Sequence, residues 1–128
     1  GVYLELGPAD NPQNTPLILH IEAGDWILKY GASWGAAETV AEYGYTVDDG
    51  LVVGGTTLLP DRISIGEALD GAEVTAVGEA ETYYGIFDQA ATVSVSSGVW
   101  AGEQIFAQGL GLVSATYDGQ RWELAYYE

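Results

Sequence analysis

The chain contains no cysteine, no methionine and one histidine, and its only cations are Lys29, Arg62 and Arg121. With one imidazole and no thiol, zinc, copper and iron sites lack their usual ligands. The missing cysteine is compatible with export and with the cytosol alike. Three cations face nineteen acids, giving a net charge of −16. Such a field repels phosphate backbones and anionic lipid, so nucleic acid and simple membrane adsorption are poor partners and none is expected. It also leaves few ion pairs to form, so stability must come from apolar burial and sheet hydrogen bonds. No apolar run approaches the ~20 residues of a membrane-spanning helix, so a soluble chain without direct membrane insertion is expected. The missing methionine implies removal of the initiator together with a signal peptide or pro-segment. An exported protein, extracellular or at the cell surface, is therefore expected. Its acidity suits a saline, divalent-rich or mildly acidic medium, where repulsion is screened. The plainer role of the acids is to keep a Tyr-rich sheet protein in solution.

What is present is apolar and β-forming. Hydrophobic residues make up 48% of 128 positions, with nine Tyr, four Trp and eighteen Gly. That is enough chain for one domain with its own core. Leu17 to Ile21 and Trp26 to Tyr30 flank Glu22-Ala23-Gly24-Asp25 as a hairpin. Glu38 to Val47 reads as one strand ending at the Asp48-Asp49-Gly50 turn. Leu51 to Val53, Thr56 to Leu59 and Arg62 to Ile65 read as short strands cut by Gly54-Gly55 and Pro60. Glu73 to Tyr84, bent at Gly78, and Gln89 to Ser96 follow. Gln104 to Ala107, Leu112 to Tyr117 and Arg121 to Tyr127 close the chain, the last two joined by an Asp118-Gly119 turn. A helix around Gly35 to Tyr43 is short and Gly-flanked and is set aside. Strands at this spacing predict an all-β antiparallel meander: a strongly curved sheet, half-barrel or sandwich.

The first sixteen residues are set apart from this meander. Val2, Tyr3, Leu4, Glu5 and Leu6 alternate as a strand, and Pro8, Pro12 and Pro16 then recur every four residues. A connector of this kind forms neither a helix nor an inner strand and is extended and stiff. The chain thus divides into an N-terminal strand with its Pro-rich linker, 1–16, and a single antiparallel β-domain, 17–128. A weak echo relates Gly1-Val2-Tyr3-Leu4 and Leu17 to Trp26 with Gly50-Leu51-Val52-Val53 and Leu58 to Leu69. The second copy has a preceding strand to pair with and the first does not. Its neighbour is expected from another chain.

Leu58-Leu59-Pro60, Ile65-Gly66, Gly85-Ile86-Phe87-Asp88, Thr92 to Val95, the run Phe106 to Val113 and Trp122-Glu123-Leu124 carry a resemblance over roughly residues 50–128. The stretch resembles exported bacterial lipoprotein-like domains built as curved antiparallel half-barrels, mostly of unassigned function. The resemblance implies export and a half-barrel fold, and some relatives of that shape hold lipid in the concave face. It implies no activity. No N-terminal cysteine is available for acylation.

Candidate chemistry is sparse. His20 lies in a strand, opposite in alternation to Leu19 and Ile21, with Glu22 on its own face. A hydrolase would need it or a carboxylate pair such as Glu79 and Glu81, and no serine sits in a nucleophile elbow. Surface roles explain all of these better, so no catalytic residue is expected. Calcium is a weak possibility at Asp10, Asn11, Gln13 and Asn14 or at Asp48 and Asp49, though neither set matches a calcium loop, and no other cofactor is indicated. The glycines at 109 and 111 lack a phosphate-loop context and read as bulge positions. Neither Asn11 nor Asn14 begins a glycosylation triplet. Trp26, Trp34, Trp100 and Trp122 could line a concave apolar-ligand site or pack as core.

The leading expectation is a non-enzymatic structural protein that self-assembles with copies of itself as a filament or surface-layer subunit. Val2 to Leu6 of one copy would augment a sheet of the next, the linker Gly7 to Pro16 reaching ~30 Å when extended. A monomeric exported carrier of lipid is the alternative, with the N-terminal strand folded back on its own sheet. A small hydrolase is third.

Overall fold

Alternating apolar residues and Gly- or Asp-rich turns give strands, with no helix among the described residues. The computed structural model describes residues 2–9, 17–22, 25–30, 39–43, 45–46, 50–53, 56–60, 62–108 and 110–127. In chain order the strands are β1 (Val2–Pro8), β2 (Leu17–Glu22), β3 (Asp25–Tyr30), β4 (Thr39–Tyr43), β5 (Tyr45–Thr46), β6 (Gly50–Val53) and β7 (Thr56–Leu59). They continue as β8 (Ala68–Leu69), β9 (Ala72–Glu81), β10 (Ile86–Val95), β11 (Gly102–Ala107), β12 (Gly111–Tyr117) and β13 (Gln120–Tyr127). One sheet of ten strands runs β4-β3-β2-β1-β13-β12-β11-β10-β9-β8, and β5-β6-β7 form a second of three strands. All pairings are antiparallel, and the large sheet ends at β4 and β8 without closing. The all-β antiparallel architecture expected from the sequence is the observed one.

The meander from β9 to β13 carries the core. Leu58 on β7 is 0% exposed and joins Val74, Val93, Trp100, Val113 and Leu124 in one apolar cluster, so the small sheet lies against the large one. Each such Leu stabilises the fold by ~1.5–3 kcal/mol relative to an exposed position. Five consecutive residues of β12, Gly111 to Ala115, are buried, so both faces of this strand are covered. Gln104 is the core's main polar intrusion, and it is well paired. Its Nε2 donates to the Trp100 and Thr116 carbonyls, both at 2.8 Å, and its Oε1 accepts the Thr116 amide at 3.1 Å. The β12–β13 hairpin turns at Asp118 and Gly119 with φ of 50° and 74°, the double positive φ of a primed turn that Asp-Gly favours.

Three sequence expectations change. Glu38 to Val47 is not one strand, because the chain leaves the large sheet after Tyr43 and enters the small one at Tyr45. Arg62 to Ile65 is not a strand. Pro60 cannot donate, Gly66 turns the chain at φ 92°, and Ile65 stands 69% exposed with no pleated neighbour to pack on. The connector also yields its first two residues to β1, where Pro8 faces Trp122 of β13. Pro8 is tolerated there because pairing with β2 has already stopped at Leu6 opposite Leu17.

Candidate functional site

The first strand and the last strand of the chain are neighbours. On one side of β1, Val2 to Leu6 pair with Ile21 to Leu17 of β2. On the other, Leu4 faces Tyr127 and Glu5 faces Tyr126; a one-residue shift then brings Leu6 to Leu124, Gly7 to Glu123 and Pro8 to Trp122. The Ala9 amide extends the ladder to the Arg121 carbonyl at 2.9 Å. Leu6 is 0% exposed and belongs to the main cluster. The neighbour that the internal echo lacked in sequence is thus β13 of the same chain. Remove β1, and the large sheet falls into two parts, β2-β3-β4 and β13 to β8, with an empty slot between them.

A polar cluster lies on β13 beside this slot. The Arg121 guanidinium donates through Nη1 to Thr116 Oγ1 at 2.7 Å and to the Glu103 carbonyl, and through Nη2 to Ser114 Oγ. Thr116 Oγ1 in turn donates to the Glu103 carbonyl at 3.0 Å. Ser114 is fully buried and, with the Tyr83 amide, hydrogen-bonds the Glu123 carboxylate. Burial pushes the Glu123 carboxyl above its usual range, and the Ser114 bond and the Arg121 charge oppose that shift without cancelling it. One carboxylate oxygen, Oε2, is buried with no partner. Ser114, at 0% exposure, offers no surface to a substrate, so the cluster ties β11, β12, β13 and the β9–β10 loop together rather than forming an open reactive centre.

The tip of the β9–β10 hairpin reaches β13 as well. Tyr84 meets Tyr127 with ring centroids 5.3 Å apart and stacks on Phe87 at 6.4 Å. The hairpin tip is closed by Thr82, whose amide and hydroxyl both bond the Gly85 carbonyl, at 2.8 and 2.9 Å. Tyr84 and Tyr127 remain partly in solvent, which leaves an aromatic rim next to the Leu4 position of β1.

The residues singled out from sequence distribute unevenly over this frame. His20 is placed in β2 opposite Tyr3 on one side and Ile27 on the other. Trp26 sits in β3 between Ile21 and Tyr43. Trp100 is 2% exposed and packs edge-on against Tyr117 at 4.8 Å, while Trp122 Nε1 donates to the Tyr117 carbonyl at 3.3 Å. These two tryptophans are core and near-core groups, and neither lines an apolar cleft that opens beside β9, β10 and β11. That cleft, of about 440 Å³, is bounded by Leu59, Ile63, Val77, Ala91, Phe106 and Ala107 with Gln89 and Gln108 beside them. Trp34, Pro12, Pro16, Asp10, Asn11, Gln13, Asn14, Asp48 and Asp49 lie outside the described residues. Glu79 and Glu81 are exposed on β9, and the residue opposite Glu81 is Ile86, not a second carboxylate. Among the described residues no cluster of His, Asp or Glu is arranged to hold a metal. The sequence reading missed Glu123 and Ser114, because an acid and a serine on alternating strands look like ordinary surface positions.

Comparison of the chain with protein-family models, curated proteins and solved structures finds no match.

Proposed function

We propose that this chain is a non-enzymatic, exported structural subunit that assembles by passing β1 of one copy into the β2/β13 slot of the next. The observation that carries this reading is the slot itself. A single tethered strand bridges two halves of a sheet and fills the space between them with Leu6. A strand from a second copy makes the same pairs and buries the same side chain, so contacts do not oppose the exchange. The tether then decides. Leu6 and Leu17 face each other across the β1–β2 ladder, yet ten residues with three prolines separate them. Hairpins that close neighbouring strands commonly use two to five. A connector of this length and proline content favours reach over return, raising the share of copies that place β1 in a neighbour. The contact is head-to-tail, and unless its rotation closes a ring it continues as a filament.

Light scattering and negative-stain imaging of the native protein test the reading, together with a synthetic peptide of residues 1–9 added in excess. Filaments or a concentration-dependent ladder, shortened by the peptide as it caps free slots, are the expected result. A monomer of the chain's own 13.5 kDa at every concentration would overturn it.

A further inference from the structure

The other end of the large sheet presents a second, separate surface. β8 covers only the start of β9, pairing Ala68 with Glu73 and Leu69 with Ala72. The Val74 amide and carbonyl are then satisfied by Glu67 and Gly66, each at 2.8 Å. From Thr75 to Glu81 no strand among the described residues pairs with the outer side of β9. Such an edge carries unspent N–H and C=O groups, and natural sheets blunt it with proline, lysine or a covering loop. Between residues 75 and 81 there is neither proline nor lysine, and Thr75, Ala76 and Val77 are all exposed, although the β9–β10 ladder is irregular at two places here.

Beside this edge lies the apolar cleft. Val77 of β9 is 45% exposed and forms part of its wall, and Ile63, 44% exposed, stands across from it. The floor comes from β10 and β11, with Ala91 and Phe106 directly opposite each other in register. Main-chain groups at an open edge and an adjoining hydrophobic pocket are the two parts of a strand-addition site. The edge supplies affinity, and the pocket selects one side chain. The charges choose the occupant. Glu73, Glu79 and Glu81 are exposed along β9 and Asp88 is exposed on β10, whereas Arg62 is the one cation of the 62–69 stretch beside the edge. The chain's own exchanging strand, Val2–Pro8, carries Glu5 and no cation and finds no charge match here, and an anionic lipid is repelled.

We infer that the outer edge of β9 from Thr75 to Glu81, with the cleft walled by Val77 and Ile63, binds an extended basic peptide segment of a different protein. One apolar side chain of that segment enters the cleft. Lysine or arginine at flanking alternate positions meets Glu79 and Glu81. The site is distinct from the β1 slot and does not depend on strand exchange.

Phage-displayed linear octapeptides, selected at low salt against the full chain, provide the test. A synthetic copy of the enriched sequence is then measured by fluorescence anisotropy. The expected enrichment is one apolar residue with lysine or arginine two and four positions along, on the same strand face, with binding that weakens as salt rises and with new amide-exchange protection at residues 75–81. Val77→Trp fills the cleft from an exposed position, and the double variant Glu79→Lys/Glu81→Lys reverses the local charge. Each is expected to weaken binding at least ~10-fold, about 1.4 kcal/mol. Circular dichroism confirms that both variants keep the fold. The inference fails if no sequence is enriched, if binding is indifferent to both variants, or if the protected amides lie elsewhere. It also fails if mass spectrometry of the native protein shows a co-purified lipid that Val77→Trp expels.

Discussion

Truncating Leu6 to alanine separates a sheet-forming β1 from a dispensable arm. Leu6 is 0% exposed and is paired on both sides, with Leu17 and with Leu124. Losing three buried carbons removes about 2.4 kcal/mol of transfer free energy at ~0.8 kcal/mol each. The cavity left between β2 and β13 adds to this, and buried Leu→Ala changes total about 2–5 kcal/mol. Against a whole-domain stability of about 5–15 kcal/mol that is a large fraction. Urea titration followed by tryptophan fluorescence should show a lower midpoint with an unchanged slope. The cost should be the same whether β1 comes from its own chain or from a neighbour, since the pocket is the same. A change below about 0.5 kcal/mol, the range of ordinary surface substitutions, would refute the placement of β1 inside the sheet.

Other expectations follow from particular contacts. A Cβ at Gly102, where φ is 127°, would come within 2.8 Å of the Thr116 side chain, so Gly102→Ala should cost about 1–3 kcal/mol in urea unfolding by displacing Thr116 from Arg121 and Gln104. Glu123 binds its proton more tightly folded than unfolded, where its pKa is about 4.5, so its contribution is favourable below that pH and is lost as pH rises through the higher folded value. Glu123→Gln should therefore flatten the fall in thermal midpoint above pH ~4.5, and an unchanged profile would remove Glu123 as its source. With a charge of −16 per copy, assembly should strengthen as salt shortens the screening length to about 8–10 Å and weaken at high pH, as read by light scattering. Assembly indifferent to salt would contradict an interface between like-charged subunits.

Much of the fold is readable in the sequence because its turns are chemically explicit. Asp118-Gly119 can hardly be anything but a primed hairpin turn, and the alternation of Ala91, Val93 and Val95 marks a strand with one covered face. The errors have a common cause. Tyr43 and Tyr45 belong to different sheets although every local propensity runs through them, because sheet membership is decided by distant partners. Ile63 and Ile65 carry strand-forming side chains but have no neighbouring strand to receive them. The pairing of β1 with β13 joins the two ends of the chain, and no local pattern announces a contact of that span. The same holds for the candidate sites. A sticky N-terminal strand on a proline tether is visible in the sequence, whereas the slot that takes it, the Glu123–Ser114–Arg121 cluster and the open edge of β9 exist only once the sheet is assembled. Size and aromaticity suit a core as well as a ligand site, so the sequence left both roles open for the tryptophans, and Trp100 packs in the core.

The most direct test of strand exchange uses the absence of cysteine. Leu4 and Tyr127 face each other across β1 and β13, and opposed residues in an antiparallel ladder lie at a Cα separation of ~4.5–5.5 Å, within reach of a disulfide. Leu4→Cys combined with Tyr127→Cys, oxidised under native conditions and run on a denaturing non-reducing gel, reports which chain supplies the strand. Exchange predicts a covalent ladder of dimers, trimers and longer chains that collapses on reduction. A single band of internally bridged monomer would show that β1 stays at home, and would contradict assembly by its exchange.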